Sequence, residues 1–266
     1  MRVYNVFLFF VLIIFANCTQ GNKQELSVHA SIISKNIGAI EPINIDSSGL
    51  KFNILNTEIR DGLISKPIAM QKFQTLIKKI TTLYYIKNGR DFEKTNWIFP
   101  LEGYNSSAIG GKNGSGYIGN GFNYFDGNGR KGHPAHDLFI RDERENKIDI
   151  RTKKPVNVLS MTEGIVIALE MKWDTLSNLQ GGKYIYVYVP SKKQIIYYAH
   201  NDTVFVKLGD IVVPGDTIAT VGRSGYNAFK KRSPTHLHIM VMQLDSVLLP
   251  KPINPYNDLL KCKIKD

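Results

Sequence analysis

From Leu138 to Val241 the chain is a succession of short runs of β-branched and aromatic residues set between turn signals. The runs are Leu138 to Ile140, Val156 to Leu159, Gly164 to Leu169, Tyr184 to Val189, Gln194 to Ala199, Val204 to Val206, Thr217 to Val221 and Leu237 to Val241. Residues of this type favour a pleated, half-buried surface, and Pro190-Ser191 and Pro214-Gly215-Asp216 between them are turn chemistry. Many short strands with no helix between them predict a mainly β fold, a compact antiparallel sheet in an open barrel or sandwich. No internal repeat organises the runs.

Upstream the pattern changes. Leu101 to Gly132 holds ten of the chain's 22 glycines and reads as loop. Within it Gly114-Ser115-Gly116-Tyr117-Ile118-Gly119 spells GxGxxG, but a nucleotide site needs a helix N-terminus after the glycines to meet the phosphate. Asn120 to Gly127 has no helical period, so the motif is set aside. Ala69, Met70, Phe73, Leu76, Ile77, Ile80, Leu83 and Tyr84 recur at helical spacing. Ser65 as N-cap, Pro67 in the first turn and Asn88-Gly89 at the end bound this amphipathic helix, which carries Lys72, Lys78 and Lys79 on its wet side. Thr19 to about Ser47 is polar without a sustained period and reads as a linker.

Arg2 precedes an unbroken apolar run from Val6 to Ala16, the length of a signal-peptide core and too short to span a bilayer. Cys18 follows at once, which resembles a bacterial lipoprotein signal in which the cysteine is acylated. Export to the cell envelope is expected, with a membrane anchor on Cys18. With Cys18 acylated the only other thiol is Cys262 and no disulfide framework is available within the chain, whereas an unacylated Cys18 leaves a Cys18–Cys262 pair open. The formal charge of +11 gives long-range attraction to anionic surfaces without choosing among them. The expected divisions are a signal segment at 1–17, a linker with a small helical region at 18–96, a β domain at 97–250 and a tail at 251–266.

Four of the six histidines fall at two points of the β region, and a fifth closes one of its runs. On a strand through Leu237 to Val241, alternation puts His236, His238 and Met240 on one face. Their imidazoles then stand about 6.6 Å apart at the root, at roughly 3.3 Å per residue. That spacing suits one ring binding a metal while the other faces the water on it. His133-Pro134-Ala135-His136-Asp137 lies where the glycine-rich loop becomes the first strand. One imidazole and the Asp137 carboxylate from here, with one imidazole of the HxH pair, make three ligands and leave a fourth tetrahedral position open, the composition of a catalytic zinc site. His133 is the better candidate than His136, because His136 and Asp137 are adjacent and point apart on an extended backbone. His200 closes Ile195-Ile196-Tyr197-Tyr198-Ala199; alternation gives it the face of Tyr198, opposite Tyr197 and Ala199.

With HxxxD at His133, a histidine after an apolar strand at Tyr198-Ala199-His200, and HxH at His236, the chain resembles the LytM or lysostaphin-type zinc metallopeptidases of family M23. The resemblance extends to Gly181-Gly182, to Leu208-Gly209-Asp210 through Ile218 and to Gly222-Arg223-Ser224-Gly225, covering roughly Trp97 to Met242. It implies zinc ligands at His133, Asp137 and His238 and catalytic histidines at His200 and His236. The implied activity is hydrolysis of peptide cross-links in bacterial peptidoglycan by an activated water, with no role for nucleic acid. The loop that delivers the HxH strand, with Asn227, Lys230, Lys231 and Arg232, is expected to border the cleft and attract carboxylates of wall peptides.

Two other functions fit parts of the pattern. A LytM-like module that grips peptidoglycan or activates another hydrolase without cutting is distinguished by lost ligands, and here each is present. A lipoyl or biotinyl carrier needs a lysine at a tight hairpin tip, which Thr162-Glu163-Gly164 lacks.

Overall fold

A computed structural model describes residues 45–87, 89–129 and 131–266. The apolar run, Cys18 and the linker as far as residue 44 lie outside the described residues.

Helix α1 spans Ile45–Arg60 and α2 spans Lys66–Ile86. The second forms where its apolar spacing predicts. Ser65 enters it in extended backbone (φ −69°, ψ 144°), and Pro67 sits in the first turn, where a missing N–H leaves no bond unmade. The first helix begins inside the expected linker. Its buried stripe is narrow, Phe52, Leu55 and Ile59, and is interleaved with asparagines, which are mediocre helix formers. Those asparagines face the sheet: Asn53 Oδ1 accepts the Leu169 amide at 2.9 Å, and Asn56 Nδ2 donates to the Tyr184 hydroxyl at 3.0 Å. Tertiary hydrogen bonds therefore stabilise a helix that its local sequence does not advertise.

The strands are β1 (His136–Phe139), β2 (Asn157–Leu159), β3 (Gly164–Glu170), β4 (Lys183–Val189), β5 (Gln194–Val204), β6 (Ile211–Val212), β7 (Thr217–Val221), β8 (His236–Leu244) and β9 (Pro250–Ile253). They form one open, nine-stranded sheet in which every pairing is antiparallel, with the path β1-β8-β5-β4-β3-β6. β7 pairs with the far half of β5 and with β2, while β9 continues along β8 beyond β1. The expected separate strand at Val204 to Val206 does not form, because β5 itself runs on to Val204. His200 adopts φ +65°, and at that kink β5 passes from β8 to its new neighbour β7. β9 carries prolines at 250 and 252, tolerable where the strand lies on an edge.

Alternation along β4 divides the interior. Ile185, Val187 and Val189 enter a core with Phe99, Leu138 and Leu237. Tyr184, Tyr186 and Tyr188 enter the second core, beneath α1 and α2, with Phe52, Phe73 and Ile77. Each such side chain, fully buried, contributes about 1.5–3 kcal/mol through the hydrophobic effect. The Tyr188 hydroxyl meets Thr81 Oγ1 at 3.0 Å, so the ring is buried without orphaning its polar end. The C-terminal strand and the short helix α3 (Tyr256–Leu259) close the first core from below, and Phe99 N donates to Lys263 O at 2.8 Å.

Candidate metal centre and cleft

The two helices cover only one end of their face of the sheet. At the other end β1, β8 and β5 lie side by side, with Asp137 opposite His238 and His238 opposite Ala199. This register brings residues far apart in sequence onto one patch, the floor of a cleft of about 470 Å³. The glycine-rich loop forms one wall through Phe122, Asn128 and Gly132, and Gln180, Asn227 and Ala228 form the other.

His133 is fixed by a two-way backbone bridge to Ile118 (2.7 and 2.8 Å). Its ring Nδ1 donates to Gly116 O at 2.8 Å, leaving Nε2 directed at Asp137 Oδ1, 3.3 Å away. His238 Nδ1 approaches the same oxygen at 3.0 Å. Ligand atoms of His133, Asp137 and His238 lie within 4.8 Å of one another. Two imidazole nitrogens and one carboxylate oxygen are a zinc donor set, and the Gly116 carbonyl supplies the outer hydrogen bond that sets a ligand tautomer. The arrangement fits a divalent metal with one position left open. His136 stands apart from it: buried on the opposite face, its Nε2 pairs with Asn254 Oδ1 at 2.9 Å.

The other two imidazoles overlook the same point. His236 Nδ1 donates to Pro234 O at 2.7 Å and its Nε2 lies 3.6 Å from Asp137 Oδ1. His200 Nδ1 donates to Ser224 O at 2.7 Å. Both rings therefore carry a proton on Nδ1 and turn Nε2 toward the cleft floor. Ring centroids of His200 and His236 are 4.8 Å apart, and those of His200 and His238 are 5.5 Å apart.

His200 departs from its expected face. The left-handed φ of +65° breaks alternation, so the imidazole joins Tyr197 in the cleft while Tyr198 stays in the first core. The kink needs close backbone neighbours. A Cβ on Gly182 would stand 2.2 Å from the Ser224 carbonyl carbon, and one on Gly225 would stand 2.8 Å from His200 Nδ1.

Burial penalises a charged Asp137, but hydrogen bonds from His133 and His238 override it and hold the carboxyl far below its usual range. The Asp137 hydrogen bond raises His133. Burial lowers His238, and burial followed by repulsion from His236 and His238 holds His200 well below an ordinary imidazole. A neutral His200 is a proton acceptor at neutral pH.

The loop between Gly225 and Thr235 does border the cleft, through Asn227, Ala228 and Ser233. Two of its cations are engaged locally: Lys230 Nζ lies 3.9 Å over the Tyr226 ring, and Arg232 Nη2 reaches Asn227 Oδ1 at 3.4 Å. Tyr197, Phe122 and Gln180 are cleft residues that no spacing rule singles out, since each is brought there by strand register or loop path.

Residues 143–255 match the model of peptidase family M23. The matched segment contains His200, His236 and His238, whereas His133 and Asp137 precede it. Comparison with curated proteins finds no match. Among solved structures, a zinc-containing peptidase of Vibrio cholerae is 20% identical over 66% of this chain and 41% of its own, with a TM-score of 0.38. This chain thus spans under half of that protein. The catalytic domain of lysostaphin from Staphylococcus simulans is 21% identical over 66% of this chain and 95% of its own (TM-score 0.36). A LytM protein of Ruminococcus gnavus is 18% identical over 85% of this chain and 94% of its own (TM-score 0.43).

Proposed function

We propose that this chain, an M23-type peptidase by the match over residues 143–255, is a zinc-dependent endopeptidase that hydrolyses peptide cross-links of bacterial peptidoglycan. The observation that carries the reading is the convergence of His133, Asp137 and His238 beneath two further imidazoles whose Nδ1 atoms are committed to backbone carbonyls. His133 Nε2, Asp137 Oδ1 and His238 Nδ1 are the proposed ligand atoms. When bound, zinc lowers the pKa of water to about 7 and polarises a carbonyl.

The chain's own residues do the rest. One of His200 and His236 accepts the attacking water's proton at Nε2 and passes it to the leaving amine, a transfer that imidazole makes near neutral pH. The other, carrying protons on both ring nitrogens, donates from Nε2 to the developing oxyanion. The backbone carbonyls of Ser224 and Pro234 hold both rings in the required tautomer. Asn128, Gln180 and Asn227 on the walls offer amide groups to an extended peptide. The apolar run at Val6 to Ala16 and Cys18 support an exported protein tethered to the envelope membrane by a lipid on Cys18, facing its polymeric substrate.

Purified protein incubated with peptidoglycan, with and without a chelator, tests the reading by mass analysis of the soluble products. Released peptides with new amino termini, lost on chelation, are expected and identify the bond. Undigested peptidoglycan with zinc-loaded protein would overturn it.

A further inference from the structure

Arg223 is unusual among the cations of the described residues. Its side chain is only 10% exposed, yet it belongs to a loop rather than to a strand or helix. It follows β7 and reaches across the turn to the residues just before β8. Nη1 donates to Ser233 O at 2.7 Å and to Thr235 Oγ1 at 3.1 Å, and Nη2 donates to Lys230 O at 3.0 Å and Glu145 Oε2 at 3.2 Å. Thr235 Oγ1 in turn donates to Asp142 Oδ2 at 2.6 Å.

Ser233 and Thr235 flank Pro234, whose carbonyl receives His236 Nδ1–H. A single nitrogen of the guanidinium thus grips both neighbours of the carbonyl that fixes the His236 tautomer. Proline has no amide proton and a locked φ, so the carbonyl at 234 is aimed by what holds its two neighbours. The second nitrogen, bound to Lys230 O and Glu145 Oε2, fixes the plane of the guanidinium, which the single nitrogen of an ammonium does not reproduce.

We infer that Arg223 is a positioning residue for His236. By bracketing Pro234 it keeps His236 Nδ1–H on the Pro234 carbonyl and Nε2 over the cleft floor, while its bond to Lys230 O shapes the loop that carries Asn227 and Ala228. The catalytic consequence rests on the peptidase reading above; the tautomer does not.

The test compares native protein with Arg223→Ala and Arg223→Lys. Nitrogen NMR of the His236 ring, assigned by loss of its signals in His236→Gln, reads the tautomer in metal-free protein. Native protein should be in the Nδ1–H form, and both variants should shift toward Nε2–H. With wall peptides, kcat should fall at least tenfold in both, with KM changed less than threefold and zinc content unchanged. Should Arg223→Ala fail to fold, Arg223→Lys decides, since it keeps the charge and loses only the fork. A tautomer unchanged in a folded variant, or a kcat within twofold of native, overturns the inference. Should native zinc-loaded protein not cut at all, the peptidase reading fails, and the NMR result alone judges Arg223.

Discussion

One face of the sheet carries two regions built from the same alternation and opposite in character. Beneath α1 and α2, β3 and β4 present tyrosines and isoleucines whose polar ends are met by Asn56 and Thr81, and the surface is sealed. Beyond the helices β1, β5 and β8 present Asp137, His200, His236 and His238, and the surface is open. The open end departs from that alternation at the left-handed His200, and the cover differs as well. Packed aromatic rings stabilise the sealed end whether or not anything binds. The open end gathers groups that desolvation penalises, Asp137 being offset by hydrogen bonds from His133 and His238. The sealed region should therefore set stability and the open region activity, with little exchange between them.

The largest expected effect lies at the open end. His200→Ala and His236→Ala should each lower kcat by roughly 10²–10⁴-fold, the range for a general acid or base, while leaving the melting temperature nearly unchanged. Turnover assays beside calorimetry check both, and a large stability loss would blur the division. At the sealed end, Phe73 is fully buried with ring centroids of Phe52, Tyr124 and Phe125 at 5.3, 5.5 and 5.7 Å. Phe73→Ala should cost about 3–5 kcal/mol in denaturant titration without changing zinc stoichiometry.

A smaller effect comes from outside both regions. Burial would raise the Asp149 carboxyl, but hydrogen bonds from Arg151, Tyr104 and the amides of Thr152 and Arg151 bring it down to about 2. A depressed value stabilises the fold above the usual carboxylate range, and the contribution disappears as pH falls from 3.8 toward about 2. Asp149→Asn should lose about 2 kcal/mol at neutral pH and flatten the stability curve over that acid range. The smallest effect is expected at the rim. Replacing Lys230, Lys231 and Arg232 with glutamine should weaken sedimentation with peptidoglycan by about threefold or less at 0.15 M salt, where screening is strong.

Much of the open region is legible in the sequence because the residues that converge there follow short-range rules. HxH on a strand puts two rings on one face, and four residues from His133 to Asp137 allow a loop to fold back on a strand. His200 was not legible by the same rule, since one left-handed residue reverses the face that alternation assigns. Nor was α1, whose asparagines make sense only against β3 and β4. Arg223 has no local signal either: its partners lie 7 to 12 residues ahead and at Glu145, across the fold.

The central claim is that the HxH pair is divided, with His238 a ligand and His236 not. Metal analysis of purified native, His238→Ala and His236→Ala proteins tests it most directly. About one zinc per chain is expected in native protein and in His236→Ala, and a small fraction of that in His238→Ala. Full zinc in His238→Ala, or its loss from His236→Ala, would contradict the account.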